Sequence, residues 1–357
     1  MASIPSMCVP KIKAESVKQF LIQNKVFRFG VRPDHSQDFV FFPITQKLSP
    51  ILLSKLKKSS SKIKQSMHTF PEKEPLQSLN LKDSLKNQLS SEELSHLISA
   101  YDIVGSIAVI QVPKELMNRK SLIAKTVLKI NHSIQTVCMI TGGHSGKYRI
   151  QPVKLLAGKK TTETVYKEHN CLFKMDIAKV FFSPRLSFER ARINDLIQPN
   201  EVIGSFFSGV GPYSIIFAKN SNTQRVYSVE LNPSAVKYHK LNNKLNKVEE
   251  KVELLKGDVH KIVPKYLKGT CDRIVMPLPE TGELFLDEAF AALKPEGGMI
   301  HFYTFAPRAD LYSHAVSELE KVAKKFNRKI KIVRNEICRT FSASVVQIVL
   351  DVSVSEP

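Results

Sequence analysis

The stretch VIGSFFSGVGPYSIIFAKN, residues 202–220, decides the fold. Its opening VIGSFF has the apolar character of a buried strand, and its closing PYSIIFAKN reads as a helix. Between them, Gly209 and Gly211 let the backbone approach a ligand closely, and the helix N-terminus adds partial positive charge. A glycine pair after a strand can also be only a tight turn, and Ser214 stands where a dinucleotide fingerprint has its third glycine. The stretch therefore predicts a strand–turn–helix unit for a nucleotide-like ligand other than a dinucleotide.

Strand and helix patterns alternate from Ser187 onward. Such alternation predicts a doubly wound parallel sheet with helices on its faces. The last two strands, 329–341 and 344–354, are separated by only a short break, so they must pair antiparallel, because a parallel pair needs a crossover. A Rossmann-like parallel sheet with a terminal antiparallel hairpin is typical of class I methyltransferases, and we predict this α/β fold for residues 187–357.

Three features at the predicted strand ends support a cofactor site. Glu230 ends the second strand, where a carboxylate can take both ribose hydroxyls, and Asp258 ends the third, a usual place for a group that holds adenine. Pro277-Leu278-Pro279 follows the fourth strand, at the edge where such sheets place their chemistry. Acids at strand ends also serve as helix caps. Because all three features follow successive strands after the glycine turn, however, together they favour S-adenosyl-L-methionine as the ligand. The glycine turn would then contribute Phe207, Gly209 and Gly211.

Charge and composition narrow the class of protein. Lys and Arg number 53 against 33 Asp and Glu, a net charge of +20 that favours a polyanion such as nucleic acid, although a basic proteome would give the same excess. The five cysteines form no CxxC pair and the histidines show no metal spacing, so we predict neither a zinc site nor a disulfide scaffold. The sequence shows no membrane-spanning run and no signal-peptide pattern, so we expect no membrane association and a cytoplasmic location.

The chain before residue 187 reads as two smaller α+β domains. We assign 1–66 to a small N-terminal α/β domain with RNA contacts and a basic linker, and 67–186 to a mixed α+β domain that contributes to the active site. The linker is 47–66, which carries six lysines and no acid. This segment is either a solvated tether or a strip that contacts phosphate.

The block SPRLSFERAR, residues 183–192, lies immediately before the sheet. Glu189 and Arg190 fall in the first turn of a predicted helix that faces the ligand edge. An acid in that position can simply complement the helix dipole. Methyl transfer to an acceptor that carries a proton, however, needs a base nearby. Glu189 is therefore the candidate for that base.

Six blocks, in this order, resemble the archaeal and eukaryotic type of tRNA (guanine-37-N1)-methyltransferase: SGKYR, YKEHNCLFKMDIAKVFFSPRLSFERARI, FSGVGPYSI, VYSVELNP, GD and MPLP. The resemblance runs from about Tyr101 to the C-terminus and is looser in the N-terminal unit. The SPRL…ER block is its most specific part, because generic methyltransferases lack it. The resemblance implies methyl transfer from S-adenosyl-L-methionine to N1 of the guanosine 3′ of the anticodon in tRNA. We expect a monomer, because one chain holds all the named groups.

The resemblance also implies roles for individual residues. Glu189 aligns with the base that removes the guanine N1 proton, and Arg149 with the arginine that hydrogen-bonds O6. The implied cofactor contacts are Arg190, Glu230, Leu231, Asp258, Val259 and Pro277. Three positions depart from the family pattern: Phe181 replaces a tyrosine, Ser205 an acid and Pro277 an asparagine. Pro277 can contact an acceptor only through its carbonyl or its ring.

Two other functions stay open at this point. A wyosine-pathway enzyme would transfer the aminocarboxypropyl group to the same tRNA position from the same cofactor. The intact SPRL and GVGPY blocks favour methyl transfer. A non-catalytic RNA-binding protein with a methyltransferase fold is the second alternative. The presence of Arg149, Glu189, Glu230 and Asp258 argues against it.

Overall fold

The structure is a computed structural model that describes residues 3–28, 31, 33–57, 60–70 and 80–357. The chain divides into two compact units, Met1–Leu79 and Asn80–Pro357. Among the described residues, no helix is both long enough and apolar enough to cross a membrane.

The first unit is a small antiparallel sheet with helices packed against it. Its described elements are β1 (Ser3–Pro10), α1 (Ala14–Gln23), β2 (Asp34–His35), β3 (Phe39–Pro43), α2 (Pro50–Lys57) and β4 (Lys64–Thr69). The strand order in the described part is β2-β3-β1-β4. Met7 and Val9 of β1 are fully buried, as are Leu21 of α1 and Ile44 just after β3. These apolar side chains form the core of the unit.

The basic segment 47–66 differs from the predicted linker. Leu48, Leu56 and Ile63 are buried in the core of the first unit, and β4 pairs with β1 over Ser3–Cys8. The unit therefore continues past residue 66, because its edge strand β4 crosses the predicted boundary. Lys58 and Ser59 lie outside the described residues.

The second unit begins with a mixed four-stranded sheet, all of whose residues are described. Its elements are α3 (Leu81–Leu85), α4 (Ser91–His96), β5 (Asp102–Val104), β6 (Ile107–Ile110), α5 (Lys120–Ile130), β7 (Thr136–Ile140) and β8 (Val153–Gly158), with strand order β5-β6-β7-β8. The sequence pattern of 76–102 predicts a helix, whereas its described part forms two short helices. A capping box between Ser90 and Glu93 starts the second of them. Residues 76–79 of that prediction lie outside the described residues.

A hairpin and a seven-stranded sheet complete the second unit, and both lie wholly within described residues. The hairpin is β9 (Glu163–Glu168) and β10 (Cys171–Asp176). The sheet has the strands β11 (Val202–Phe206), β12 (Arg225–Glu230), β13 (Val252–Lys256), β14 (Arg273–Met276), β15 (Gly297–Pro307), β16 (Lys329–Thr340) and β17 (Val345–Ser355). The helices are α6 (Ser187–Leu196), α7 (Pro212–Asn220), α8 (Pro233–Asn246), α9 (Val259–Ile262), α10 (Leu286–Ala292) and α11 (Ser313–Lys325).

The strand order of the large sheet is β13-β12-β11-β14-β15-β17-β16. The first five strands of this order are parallel, and β17 runs antiparallel between β15 and β16. The predicted parallel sheet with an antiparallel terminal hairpin is thereby confirmed. Apolar residues of α6, α7 and α8 cover one face, and those of α10 and α11 cover the other.

The hairpin β9–β10 is fixed to the large sheet through α8. Asn242 exchanges hydrogen bonds with the backbone of Lys174 at 2.8 and 3.0 Å, and Asn246 does the same with Leu172 at 2.9 and 2.7 Å. Two buried asparagines thus take the place of a neighbouring strand along β10. The domain boundary predicted at residue 186 stays a prediction.

Candidate active site

The predicted cofactor positions meet at one edge of the large sheet. Phe206 pairs with Val229, and Glu230 pairs with Lys256, so the ends of β11, β12 and β13 lie side by side. The glycine turn follows β11, Glu230 ends β12, Asp258 follows β13 and Pro277 follows β14. Parallel strands present their carboxyl ends together, which is why these groups converge.

The turn after β11 needs backbone conformations that favour glycine. Phe207, Gly209 and Gly211 have φ of 55°, 56° and 92°. A Cβ on Gly211 would lie 2.5 Å from the His239 ring, so packing excludes a side chain there. A Cβ on Gly209 would meet only the Phe181 carbonyl oxygen, at 3.7 Å. Gly211 is therefore required by the close packing of His239 against the turn. At Gly209, which we call the rim of the turn, there is space for another group beside the backbone.

Glu230 ties the glycine turn to the end of β12. Its Oε2 accepts the Gly209 N–H at 2.7 Å and its Oε1 accepts the Asn232 N–H at 2.7 Å. Burial raises the pKa of this carboxyl, and the backbone N–H groups partly oppose that effect. Each carboxylate oxygen keeps acceptor capacity beyond one hydrogen bond, so Glu230 can still receive ligand hydroxyls.

Asp258 has a capping role in the structure. It precedes α9, and its Oδ1 accepts the His260 N–H at 3.0 Å. The following Val259 is buried, while Leu231 at the end of β12 is half-buried. The capping alternative raised from the sequence is thus realised, and Oδ1 of Asp258 is turned toward the first turn of α9.

These residues fit S-adenosyl-L-methionine. The rim at Gly209 would accept a Cβ with only ordinary contact to Phe181, so a ligand can approach the backbone there. Glu230 supplies an acceptor for hydroxyl groups beside that rim. The N-terminus of the nine-residue helix α7 follows the turn at once. Backbone N–H groups at a helix N-terminus and a carboxylate acceptor for hydroxyls suit a nucleoside ligand.

Arg190 is engaged by protein groups. Its Nε and one Nη donate to Glu168 at 2.6 and 2.8 Å, and it also donates to the Ser183 carbonyl at 3.2 Å. The guanidinium lies 5.4 Å from the Phe182 ring centroid. Arg190 as a whole is 2% exposed to solvent. Arg190 therefore ties the segment before α6 to β9, and its predicted cofactor contact stays a prediction.

Glu189 follows a different pattern one residue earlier on α6. Glu189 is 1% exposed to solvent. The Arg192 guanidinium donates to both of its carboxylate oxygens, at 2.9 and 3.0 Å. The Tyr303 hydroxyl of β15 donates to Oε2 at 2.8 Å. Glu189 lies in the first turn of α6, as predicted, but its partners are side chains on two elements.

Arg149 lies beside the loop that follows β14. Its guanidinium forms an ion pair with Glu280, directly after the Pro277–Pro279 tripeptide. Arg149 has a φ of 51°, and its carbonyl accepts from Nδ1 of His144 at 3.0 Å. The His144 ring meets Phe181 edge-on at 5.3 Å. The loop 142–149 is thus placed against both the tripeptide and the segment that leads into α6.

Pro277 occupies a tight turn at the end of β14. It is half-buried, and the Leu278 N–H donates to the Met276 carbonyl at 2.8 Å across it. The Pro279 carbonyl accepts the Phe305 N–H at 3.1 Å, which fixes the tripeptide to β15. A Cβ on Gly282 would lie 3.2 Å from the Tyr303 carbonyl oxygen. Arg149 thus contacts the loop after β14, and Glu189 contacts the neighbouring strand β15.

Sequence reasoning did not identify the partners of Glu189. Arg192 also binds Asp351 of β17, and Asp351 contacts His301 of β15. Tyr303 lies on the same strand as His301. An isolated acid in the apolar run of β17, and a histidine and a tyrosine in that of β15, were the available signals. Buried polar groups need partners, so such residues mark buried networks.

Comparison with known proteins identifies the family. Residues 164–333 match the TRM5/TYW2 methyltransferase domain, and residues 81–161 match the TYW2 N-terminal domain. The chain is 36% identical over 259 residues to tRNA (guanine(37)-N(1))-methyltransferase Trm5b of Pyrococcus abyssi, which covers 72% of this chain and 76% of that protein.

Two further proteins are similar over most of their length. The chain is 30% identical over 253 residues to the tRNA(Phe) (4-demethylwyosine(37)-C(7)) aminocarboxypropyltransferase of Methanocaldococcus jannaschii, covering 70% of this chain and 96% of that one. The solved complex of aTrm5 and tRNALeu superposes with a TM-score of 0.68 at 27% identity, covering 98% of this chain and 99% of the other. The predicted class I methyltransferase fold is confirmed. The chain therefore belongs to the tRNA (guanine-37-N1)-methyltransferase family, and it is an enzyme that uses S-adenosyl-L-methionine as its cofactor.

Proposed function

We propose that the protein methylates N1 of guanosine-37 of tRNA, 3′ of the anticodon. The observation that carries this proposal is that Arg149 and Glu189 each bond a residue of two neighbouring segments, the loop after β14 and the strand β15. Arg149 pairs with Glu280 of that loop, and Glu189 accepts from Tyr303 of β15. The glycine turn of the cofactor edge lies against Phe181, in the segment that leads into α6.

The chemistry of the acceptor requires both side chains. Bound S-adenosyl-L-methionine supplies a methyl group on a sulfonium, which is already an activated leaving group. Guanine N1 carries a proton, so a base must remove it as the new bond forms, and we assign this role to Glu189. Negative charge then develops on O6, and the guanidinium of Arg149 stabilises it. Gly209, Glu230 and Asp258 hold the cofactor in this scheme, with Arg190, Leu231, Val259 and Pro277 as the further proposed contacts.

Burial of Glu189 sets a condition on substrate entry. At 1% exposure its carboxylate is covered by neighbouring side chains. Catalytic hydrogen bonds often form only in the substrate complex, so the side chains over Glu189 must shift when the guanine enters. Because Arg149 is tied to Glu280, the same entry exchanges that ion pair for the contact with O6. Arg149 and Glu189 are thus held by protein partners until the entering guanine takes the place of those partners.

Transfer RNA is the partner that the charge and the comparison support. The formal net charge of +20 favours a polyanion. The similarity to the aTrm5–tRNALeu complex extends over 98% of the chain. We further propose that the protein acts as a monomer in the cytoplasm. Its five cysteines are free thiols, which supports a reducing compartment.

Aminocarboxypropyl transfer to the same position is the second candidate. The 30% identity to an aminocarboxypropyltransferase favours it, as does Pro277 in place of the asparagine expected in the methyltransferase tripeptide. The two reactions move different groups from the same cofactor. They are therefore distinguished by which carbon atoms reach the tRNA.

Transfer from two differently labelled cofactors decides the function. We expect label on the methyl carbon to enter a tRNA with guanosine at position 37 and to be recovered as N1-methylguanosine. Label on the amino-acid chain should stay with the small molecules. A tRNA that differs only by adenosine at position 37 is the matched control and should accept no label. A third tRNA, with 4-demethylwyosine at position 37, tests the second candidate, because that base is the acceptor named for the similar aminocarboxypropyltransferase. Incorporation of the amino-acid chain into it would establish the second candidate, and labelling of none of the three tRNAs would contradict both.

A further inference from the structure

A buried chain of polar side chains begins at Glu189 and crosses the large sheet. Arg192 donates to both oxygens of Glu189 and also to Oδ2 and Oδ1 of Asp351, at 2.5 and 3.1 Å. Nδ1 of His301 lies 2.6 Å from Oδ1 of Asp351, and these two residues pair across β15 and β17. Arg273 of β14 lies 2.7 Å from Nε2 of His301.

The far end of the chain returns to α6. Arg273 donates to both oxygens of Glu201 at 2.7 and 2.8 Å and to the Leu196 carbonyl, the last residue of α6, at 3.0 Å. The helix that carries Glu189 is thus held to three strands of the sheet, near its start by Arg192 and at its end by Arg273. A purely structural clamp would need only the contacts at the end of α6, whereas Arg192 bonds the proposed base itself.

The contacts fix the protonation of the central groups. Arginine can only donate, so Nε2 of His301 accepts from Arg273 and Nδ1–H donates to Asp351. Burial lowers the pKa of His301, which keeps the imidazole neutral. The pKa of Asp351 is held well below its usual range by His301 and Arg192, although burial opposes them. Asp351 is therefore an anion that competes with Glu189 for one guanidinium.

We propose that Asp351 is a positioning residue that shares Arg192 with Glu189, so that the Glu189 carboxylate is held in place yet can still take up a proton. The inference rests on the proposed function, in which Glu189 is the base. An unshared guanidinium would stabilise the ionised form of Glu189 more strongly and weaken it as a base. The Asp351 carboxylate on β17 prevents this, because it accepts hydrogen bonds from the same Arg192 guanidinium.

The other titratable groups that face Glu189 are neutral at pH 7. They are Tyr213 of α7, Tyr303 of β15 and Cys338 of β16, and burial raises the pKa of each. Among the described residues, Arg192 is the charged group that bonds Glu189 directly and Asp351 shares it, whereas Arg190, the next residue of α6, is paired with Glu168. A change of charge at residue 351 should act on Glu189 chiefly through Arg192.

The test is the pH dependence of single-turnover methyl transfer by the full chain at saturating cofactor and tRNA. The acid limb of this profile reports the protonation of Glu189. In Asp351→Asn, Arg192 serves Glu189 alone, so the limb should move about one unit to lower pH, and the plateau rate should fall about 3- to 10-fold. In Tyr303→Phe, Glu189 loses a donor, so the limb should move to higher pH.

Two further variants separate positioning from folding. Glu253→Gln removes an exposed carboxylate of the edge strand β13 that pairs with Arg225 of β12, and it should leave the limb in place. If Asp351→Asn does not fold, the double variant Arg192→Met with Asp351→Leu replaces the pair by apolar residues, a change that buried pairs often tolerate. Glu189 then loses its cation, and its acid limb should move to higher pH.

The outcomes distinguish this inference from the proposed function. An Asp351→Asn protein that is folded, binds cofactor normally and keeps the wild-type acid limb would overturn the role of Asp351. An unchanged limb in the double variant would overturn the coupling through Arg192. Full activity of Glu189→Gln would instead overturn the assignment of the base, whatever the Asp351 variants do. Opposite shifts in Asp351→Asn and Tyr303→Phe, together with an inactive Glu189→Gln, would support both.

Discussion

The two carboxylates at the active edge, Glu230 and Glu189, are both buried but are held by different kinds of partner. Glu230 accepts backbone N–H groups from Gly209 and Asn232, which lie within 21 residues of it in the chain. Glu189 accepts from the side chains of Arg192 and Tyr303, and Tyr303 is 114 residues away. One carboxylate is fixed by the path of the main chain, and the other by side chains that tertiary folding brings together.

This difference matches the separate roles that we propose for the two carboxylates, Glu230 in cofactor binding and Glu189 in the chemical step. Backbone donors cannot be removed by substitution of their own side chains, so the Glu230 site should resist change and serve mainly cofactor affinity. The Glu189 site depends on charged side chains whose protonation and pairing can change, which suits a group that must accept a proton. Substitutions at the two carboxylates should therefore affect different measured quantities.

The largest effect is expected for Glu189→Gln. The amide keeps the size of the side chain but cannot take up the N1 proton, so the single-turnover rate should fall by at least ~10²-fold. Cofactor and tRNA affinities should change little, because binding does not require proton transfer and the amide has nearly the same size and shape as the carboxylate. Quench-flow rates with equilibrium binding in parallel check this, and near-normal methylation at neutral pH would end the assignment of Glu189.

Glu230→Ala should act on the cofactor instead. Loss of a charged acceptor for ribose hydroxyls should cost ~1.5–3 kcal/mol of cofactor binding, about a 10- to 150-fold weaker Kd, with tRNA affinity nearly intact. Glu253→Ala on β13 removes an exposed pair with Arg225 and provides the control. Calorimetry that gave the same cofactor Kd for Glu230→Ala and the control would contradict the ribose role.

The two glycines of the turn should differ in their sensitivity. Gly211→Ala combines a φ of 92° with a Cβ 2.5 Å from the His239 ring, whereas Gly209→Ala has a φ of 56° and meets only Phe181 at 3.7 Å. The left-handed conformation alone costs roughly 1–2 kcal/mol, so both variants should lose stability, and Gly211→Ala should lose more. Thermal unfolding and cofactor titration of the pair measure this, and equal losses would refute the packing argument for Gly211.

The smallest effect concerns His239, which lies under the turn. Burial lowers the pKa of His239 to about 3, so between that value and an unfolded pKa near 6.5 the unfolded chain binds one more proton than the folded chain. Stability should therefore fall as pH drops through this window, with His239 contributing up to ~1.4 kcal/mol per pH unit. Denaturant titrations from pH 6.5 to 5 should show a shallower slope for His239→Gln, and the exposed His314→Gln should match the wild type.

The same contrast explains how far the sequence could predict this molecule. The elements of the large sheet follow from apolar runs and local turn residues, so α7 was predicted with the bounds that the structure shows. The glycine turn and Glu230 follow from neighbouring segments in the same way. Local pattern was enough wherever the contact partners were close in the chain.

Contacts between distant segments could not be predicted. Arg192 and Asp351 are 159 residues apart, and no periodicity relates them. β1 was not predicted as a strand, because Pro5 and Pro10 interrupt its short apolar run, and its partners β3 and β4 follow much later in the chain. The first unit was ended too early for the same reason, since β4 belongs to it only through pairing with β1.

The insertion of β17 between β15 and β16 has a consequence for biosynthesis. The ribosome makes β17 after every other strand of this sheet, so the nascent chain carries a gap in which the edges of β15 and β16 stay unpaired. Until β17 fills the gap, Arg192 lacks Asp351 and α6 lacks one of its anchors. The proposed catalytic arrangement around Glu189 would thus be assembled only after β17 has been made, and a chain truncated before residue 345 should bind chaperones rather than act on RNA.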